Sequence, residues 1–390
     1  MDKKSIAAAC VCAAVVVAAA PAKDPPPIAN YWMDVATTSG LSGGMGAGGG
    51  RPSMGQMMQM MSGGGNSVGH TIDLRLASRT KPPAAPNADH WIPGGLQMGA
   101  SLPLVTPTVT KSEPVSGYKP HGRIMIYWGC GEHVGAGQPT VVDLAKLAPG
   151  QVPPGVAAMA SRGRVVSGPQ NAPGFGRWPN DRDSRAVPAA GSLLGAHKVA
   201  GNYSPDIAFS LASGQDFMPG LGFREGGKLP SGAARLTWQP VAQATGYALA
   251  MFGANPAGDM VMWSSSKSAS MATLDYLAPA EVKRLIAAGG ALPPSANECM
   301  LPAEVAAAVP TGMVTMIGYG PEVNFAEKPK APKWTAKVRY KTTASLMMGI
   351  EGMMGEAMGN EEPAPQQQQQ QPKKKKKFGL GDVLGGVPFP

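Results

Sequence analysis

The sequence predicts a mainly all-β chain: two β-sandwich-like domains with a few short helices and long Gly/Pro-rich loops. Three observations predict it. Apolar residues fill 43% of 390 positions, enough for substantial cores, while 52 Gly and 39 Pro punctuate the chain too often for long helices. Several short segments alternate apolar and polar residues with the two-residue period of a half-buried strand. Helix signals are limited to two short segments in the second half and a single turn in the first.

From the N-terminus, Tyr31 to Val35 reads as a short strand after a Pro-rich leader. Residues 39–66 form a Gly/Met tract whose glycines oppose any regular element. His70 to Ser78 alternates cleanly, with Ile72, Leu74 and Leu76 on one side and Asp73 and Arg75 on the other. Leu102 to Val109 is an extended piece, Gly122 to Cys130 the most apolar strand of the first half, and Asp143 to Leu147 one helical turn. Residues 151–189, rich in Gly and Pro, read as a linker. This places a first β-rich domain at 28–150, carrying the Gly/Met loop 39–66, and a second at 190–345.

In the second half, strands are expected at Pro205 to Leu211, Ala234 to Gln239, Gly246 to Gly253, Asp259 to Ser264, Met313 to Tyr319 and Lys333 to Thr343. Ala278 to Ala288 has Pro at its start, an apolar face at Val282, Leu285 and Ile286, and a Gly289-Gly290 stop, so it predicts a helix. Pro302 to Val309 predicts a second. Residues 346–390 combine Met, Gln and Lys runs that bury too little apolar surface to offset ordering entropy, and a disordered tail is expected.

Leu236-Thr237-Trp238-Gln239-Pro240-Val241, followed by Gly246-Tyr247, resembles a fibronectin type III-like, immunoglobulin-like sandwich module over residues 234–263. The resemblance implies that Trp238 packs in a core and that Tyr247 opens the next strand. The chain departs from that pattern where two helices interrupt the expected strands. The module implies binding or scaffolding more often than catalysis, although a fold alone does not assign function.

Residues 1–22 carry the marks of a secretory signal peptide: Lys3 and Lys4, an apolar run from Ile6 to Ala20, and small residues at Ala20-Pro21-Ala22. Export to the periplasm or beyond follows as the expectation, as for an exported bacterial protein. Removal of that segment takes Cys10 and Cys12 with it and leaves Cys130 and Cys299. An even pair in an oxidising compartment suggests a disulfide, with two buried free thiols as the alternative. The net charge of +9 is concentrated in Lys373, Lys374, Lys375, Lys376 and Lys377. The remaining body is close to neutral and lacks a nucleic-acid footprint. The lysine run suits contact with an anionic membrane surface or a solvated tail.

Few motifs carry chemistry. Cys130-x-x-His133 with Cys299 has the ligand types of a zinc site, and Cys130 with His133 those of a nucleophile and base. Met54, Met57, Met58, Met60 and Met61 place thioethers at close spacing, as copper or silver would require; a second Met cluster begins at Met347. Such tracts also serve as adaptable surfaces. Asp181-x-Asp183 lacks the further ligands of a calcium loop. No nucleophile elbow, zinc-protease or phosphate-loop motif occurs, and His70, His90, His121, His133 and His197 sit in no motif that names a partner. Trp91 and Trp178, in Gly/Pro-rich contexts, are the expected surface contact residues. The expectation is therefore a non-enzymatic envelope protein that holds another protein or a glycan and needs no cofactor. Soft-metal binding and a hydrolase without a recognisable motif are the alternatives.

Overall fold

A computed structural model describes residues 25–40, 68–107, 122–146, 164–166, 168–169, 172–271 and 273–349. The signal segment, the Met54–Met61 cluster, His121 and Lys373 to Lys377 lie outside the described residues. The fold is all-β, as the strand periodicity predicts.

A nine-stranded mixed sheet forms the base. Its order is β6 (Thr140–Asp143), β5 (Arg123–Trp128), β13 (Met260–Ser264), β12 (Gly246–Ala254), β15 (Gly312–Ala326), β16 (Trp334–Met348), β1 (Ala29–Gly40), β2 (Gly69–Ser78) and β7 (Gly174–Trp178). Two pairings are parallel, β1 with β16 and β13 with β5, and the others antiparallel. The segments expected as separate domains thus share one sheet. Residues 151–189, expected as linker, contribute its edge strand β7. A sheet joins strands by backbone hydrogen bonds whatever their distance in sequence, so composition shifts along the chain do not mark its limits.

Two small sheets pack on its inner face. One runs β4 (Ser101–Pro103), β3 (Ala88–Trp91), β8 (Gly195–Gly201), β9 (Ser204–Leu211). The other runs β10 (Arg224–Lys228), β11 (Ala234–Thr237), β14 (Glu298–Leu301). Strand alternation sends Tyr31, Leu74, Trp263 and Met316 inward from the large sheet to meet Val199 and Ile207 from one small sheet and Leu236 and Leu301 from the other in one continuous core. Trp238 is buried against Tyr247, ring centroids 5.6 Å apart, and the Tyr247 hydroxyl accepts the Val241 N–H.

Helix α1 (Pro279–Ala287) covers part of the opposite face, setting Val282 and Leu285 on Ala248, Ile317 and Tyr319. Its approach depends on Gly246, where a Cβ would stand 2.8 Å from the Val282 side chain. Helix α2 (Ala303–Ala308) anchors through Val305. Both match the Pro-initiated segments of the sequence. The turn expected at Asp143 to Leu147 is a 3-10 turn, Leu144–Lys146. No described helix is long and apolar enough to cross a membrane.

Cys130 and Cys299 form a disulfide that ties the end of β5 in the large sheet to β14 in a small one. Their sulfurs are bonded to each other, so neither thiolate of the zinc or nucleophile readings exists in this state.

Candidate functional site

The outward face of the β4-β3-β8-β9 sheet carries the most exposed aromatic side chain among the described residues. His90 points into the core and Trp91, next along β3, points out, with 48% of its surface exposed. Register places Lys198 opposite Trp91 and Ala208 opposite Lys198; beside them Ala196 faces Ser210. The alanines leave room around the indole, and a shallow groove of about 570 Å³ runs between Trp91, Ala196, Lys198, Ala208 and Ser210. Lys198 reaches Asp206 at 2.8 Å on its rim.

Beneath this face lies a buried hydrogen-bond wire. The Leu193 carbonyl only accepts, so the His197 Nε2 at 2.7 Å carries a proton. The neutral His197 ring then accepts at Nδ1 from His90 Nε2, 3.0 Å away, and His90 Nδ1 accepts from the Tyr31 hydroxyl at 2.8 Å. Phe209 stacks on His197, centroids 5.1 Å apart. The wire locks β3 to β8 and both to β1, and so holds Trp91 and Lys198, the neighbours of the two histidines, in fixed positions. Burial pushes the pKa of His90 well below its ordinary value, and the neighbouring His197 adds to this; burial lowers His197 too, against the Leu193 carbonyl.

Both imidazoles are therefore neutral in the folded state and take up protons more readily unfolded. Their contribution is fully present above about pH 6.5 and is lost as pH falls below it, with a limiting slope of about 1.4 kcal/mol per pH unit for each ring. Denaturation midpoints should fall between neutral pH and pH ~5, and His90→Gln should flatten that fall. An unchanged midpoint across this range would refute the neutral wire.

The outward face of the large sheet is charged. The Asp34 carboxylate on β1 lies opposite Arg339 on β16 and Asp73 on β2. Arg339 donates from Nε and Nη2 to the two Asp34 oxygens at 2.6 and 2.5 Å, and from Nη1 to the Val166 carbonyl. Its guanidinium lies over the rings of Trp32 and Tyr276, 4.6 and 4.8 Å from their centroids. Asp73 pairs with Arg75 at 2.7 Å, and burial raises its pKa despite that cation. Lys337 pairs with Glu322 and stands over Trp32, while Lys341 stands over Tyr276.

Trp178 departs from its expected surface role. It is 2% exposed, because β7 is an edge strand of the large sheet and turns this indole inward. His133 is held by Glu304, Nδ1 to Oε1 3.0 Å, on the surface beside the disulfide. Asp183 pairs with Arg185 within a turn organised by the Asn180 side chain, which accepts from the Arg182 and Asp183 N–H groups. His70 stacks on Phe217. Met347 and Met348 extend β16, with Met348 buried; Met353, Met354 and Met358 lie outside the described residues. Sequence reasoning singled out Trp91 but missed the Tyr31–His90–His197 wire. The signal for it, two histidines at inward strand positions, is visible only once β3 and β8 are recognised as strands.

Comparison with protein-family models, curated proteins and solved structures gave no match. The functional reading rests on the site's own geometry.

Proposed function

We propose that this chain is an exported envelope protein that binds a glycan on the Trp91 face, without catalysis. The observation that carries the reading is a single exposed indole, fixed from beneath by a buried wire and bordered by alanines, a hydroxyl and an ion pair. A sugar ring presents a C–H face to an aromatic plane and hydroxyls to polar neighbours, and this surface offers both kinds of contact. An apolar protein segment would need a broader apolar patch than one tryptophan. The disulfide and the N-terminal segment support export to the periplasm or outside the cell. The likeness of residues 234–263 to a fibronectin type III-like module belongs with the same non-catalytic reading, and the lysine tail adds contact with an anionic envelope surface.

Calorimetric titration with soluble oligosaccharides released from envelope polysaccharide tests it. Binding is expected, and Trp91→Ala should weaken it by roughly 2 kcal/mol, about thirtyfold, with little change in stability because the side chain is half exposed. Absence of heat with every oligosaccharide, or equal heat from the Trp91→Ala protein, would remove the reading.

A further inference from the structure

The disulfide is accessible from one side only. Cys130, just past the end of β5, is exposed at the surface. Cys299, on β14 opposite Leu236, is 2% exposed and belongs to the main core. A thiolate exchanges with a disulfide by attacking one of its two sulfurs, so it needs access to the one it attacks. Here only Cys130 faces solvent, and attack there expels the Cys299 sulfur inward. Cys299 then emerges among apolar side chains, where an uncharged thiol is favoured over a thiolate. The Met300 carbonyl, 3.8 Å from its sulfur, is placed to accept from that thiol. The seat of Cys130 does not depend on the bridge. The Gly129 N–H donates to the Ser264 carbonyl at 2.9 Å, the Gly131 N–H to the Met300 carbonyl at 3.1 Å and the Ala303 N–H to the Glu132 carbonyl at 2.9 Å. The Trp263 indole N–H donates to the Gly129 carbonyl at 2.9 Å, and the Val134 N–H to the Glu304 carboxylate at 3.1 Å. These contacts keep residues 129–134 on β13, β14 and α2 after the sulfurs part.

We infer that Cys130 is an S-thiolation site, at which a small aliphatic thiol of the glutathione class opens the bridge and stays attached. The external thiolate forms a new S–S bond to the Cys130 sulfur. The Cys130–Cys299 bond breaks, and its electron pair goes to the Cys299 sulfur. That sulfur takes up, by way of water, the proton that the external thiol lost, so Cys299 ends as a thiol. The external sulfur is oxidised to the disulfide level, Cys299 is reduced, and no other oxidant or reductant is consumed. Return requires the Cys299 thiolate, which its apolar surroundings oppose, so re-closure is slowed. The two sheets lose their covalent tie while the loop that carries the adduct keeps its place. The inference does not depend on what the Trp91 groove binds.

Thiol exchange on the oxidised full-length chain tests this. The folded protein is held with excess reduced glutathione, then quenched and unfolded in excess N-ethylmaleimide and mapped by peptide mass, which also sets Cys10 and Cys12 apart. Expected first is one glutathione on the Cys130 peptide together with an alkylated Cys299. Its rate should be proportional to glutathione concentration and unchanged by denaturant below the unfolding transition. Single variants read access independently: on folded chains, Cys130 in the Cys299→Ser protein should alkylate roughly a hundredfold faster than Cys299 in the Cys130→Ser protein. The mapping on the parent chain needs no substitution and stands if a variant does not fold. Glutathione on Cys299, or on both cysteines equally, would overturn the inference, as would the dithiol appearing with no adduct at any time. Opening only in denaturant, or resistance of the folded chain to glutathione that opens cystine under the same conditions, would show a sealed structural crosslink and overturn it as well.

Discussion

Reduction of the Cys130–Cys299 bridge is expected to lower the unfolding free energy by about 2–5 kcal/mol. The cysteines are 169 residues apart, and loop-closure entropy for a ring of that size gives roughly 5 kcal/mol as an upper figure. The bridge joins the large sheet to a small one, so its loss acts on the contact between layers. Backbone hydrogen bonds from Gly131 to Met300 and from Ala303 to Glu132 remain beside it and keep β14 and α2 near β5. The native state should therefore persist with a lower denaturation midpoint. Denaturant titration of the oxidised protein, the reduced protein and the Cys130→Ser/Cys299→Ser variant checks this. Coincident midpoints for all three would show that the crosslink restrains neither state, and two reactive thiols in exported material would deny that it forms.

Removal of one partner from the Asp34–Arg339 pair should cost about 3–5 kcal/mol. The side chains are 4% and 5% exposed and share two hydrogen bonds, so Arg339→Ala leaves a carboxylate buried without its cation. Arg339 is also stacked between Trp32 and Tyr276, so its truncation opens a space between those rings. Asp34→Asn keeps the shape and should cost less than Asp34→Ala. The double variant Asp34→Leu/Arg339→Met should recover much of the loss, since an apolar pair of similar volume pays no desolvation cost. Chemical denaturation of the parent, Asp34→Ala, Arg339→Ala and Asp34→Ala/Arg339→Ala closes a double-mutant cycle and gives the coupling energy directly. Single variants within about 1 kcal/mol of the parent would mean that the pair is hydrated in solution and that the charged face is open.

The two results probe features that differed in legibility. The cysteine pair could be suggested from compartment and count, because both are properties of the chain. The Asp34–Arg339 pair could not, because its members lie 305 residues apart and meet through a parallel pairing of the first and last strands of the described fold. Long alternating segments were readable with near-correct limits: β2 and β9 match their expected ranges, and α1 follows its Pro start and Gly stop. Strands lacking that pattern were not. β7 (GFGRW) and β10 (REGGK) are glycine-rich, and β10 is exposed throughout, so neither carries a period of two in hydrophobicity. β15 runs beyond its expected end because a bulge between Tyr319 and Glu322 resets its register and lets it continue pairing with β16. Trp178 was misplaced for the same reason as β7: a Gly/Pro-rich context describes the backbone and says little about what covers the side chain.

The sequence by itself determined the all-β class, the two short helices, most strand positions and the residues available for chemistry. These follow from local steric preference and from hydrophobic period, both properties of neighbouring residues. Only the tertiary structure decided that one nine-stranded sheet joins both halves, that His90 and His197 share a proton-ordered wire beneath Trp91, and that Trp178 packs in the core instead of facing solvent. Those outcomes depend on which strands pair and in what register, and the free energy that selects a register comes from side chains buried together from distant parts of the chain.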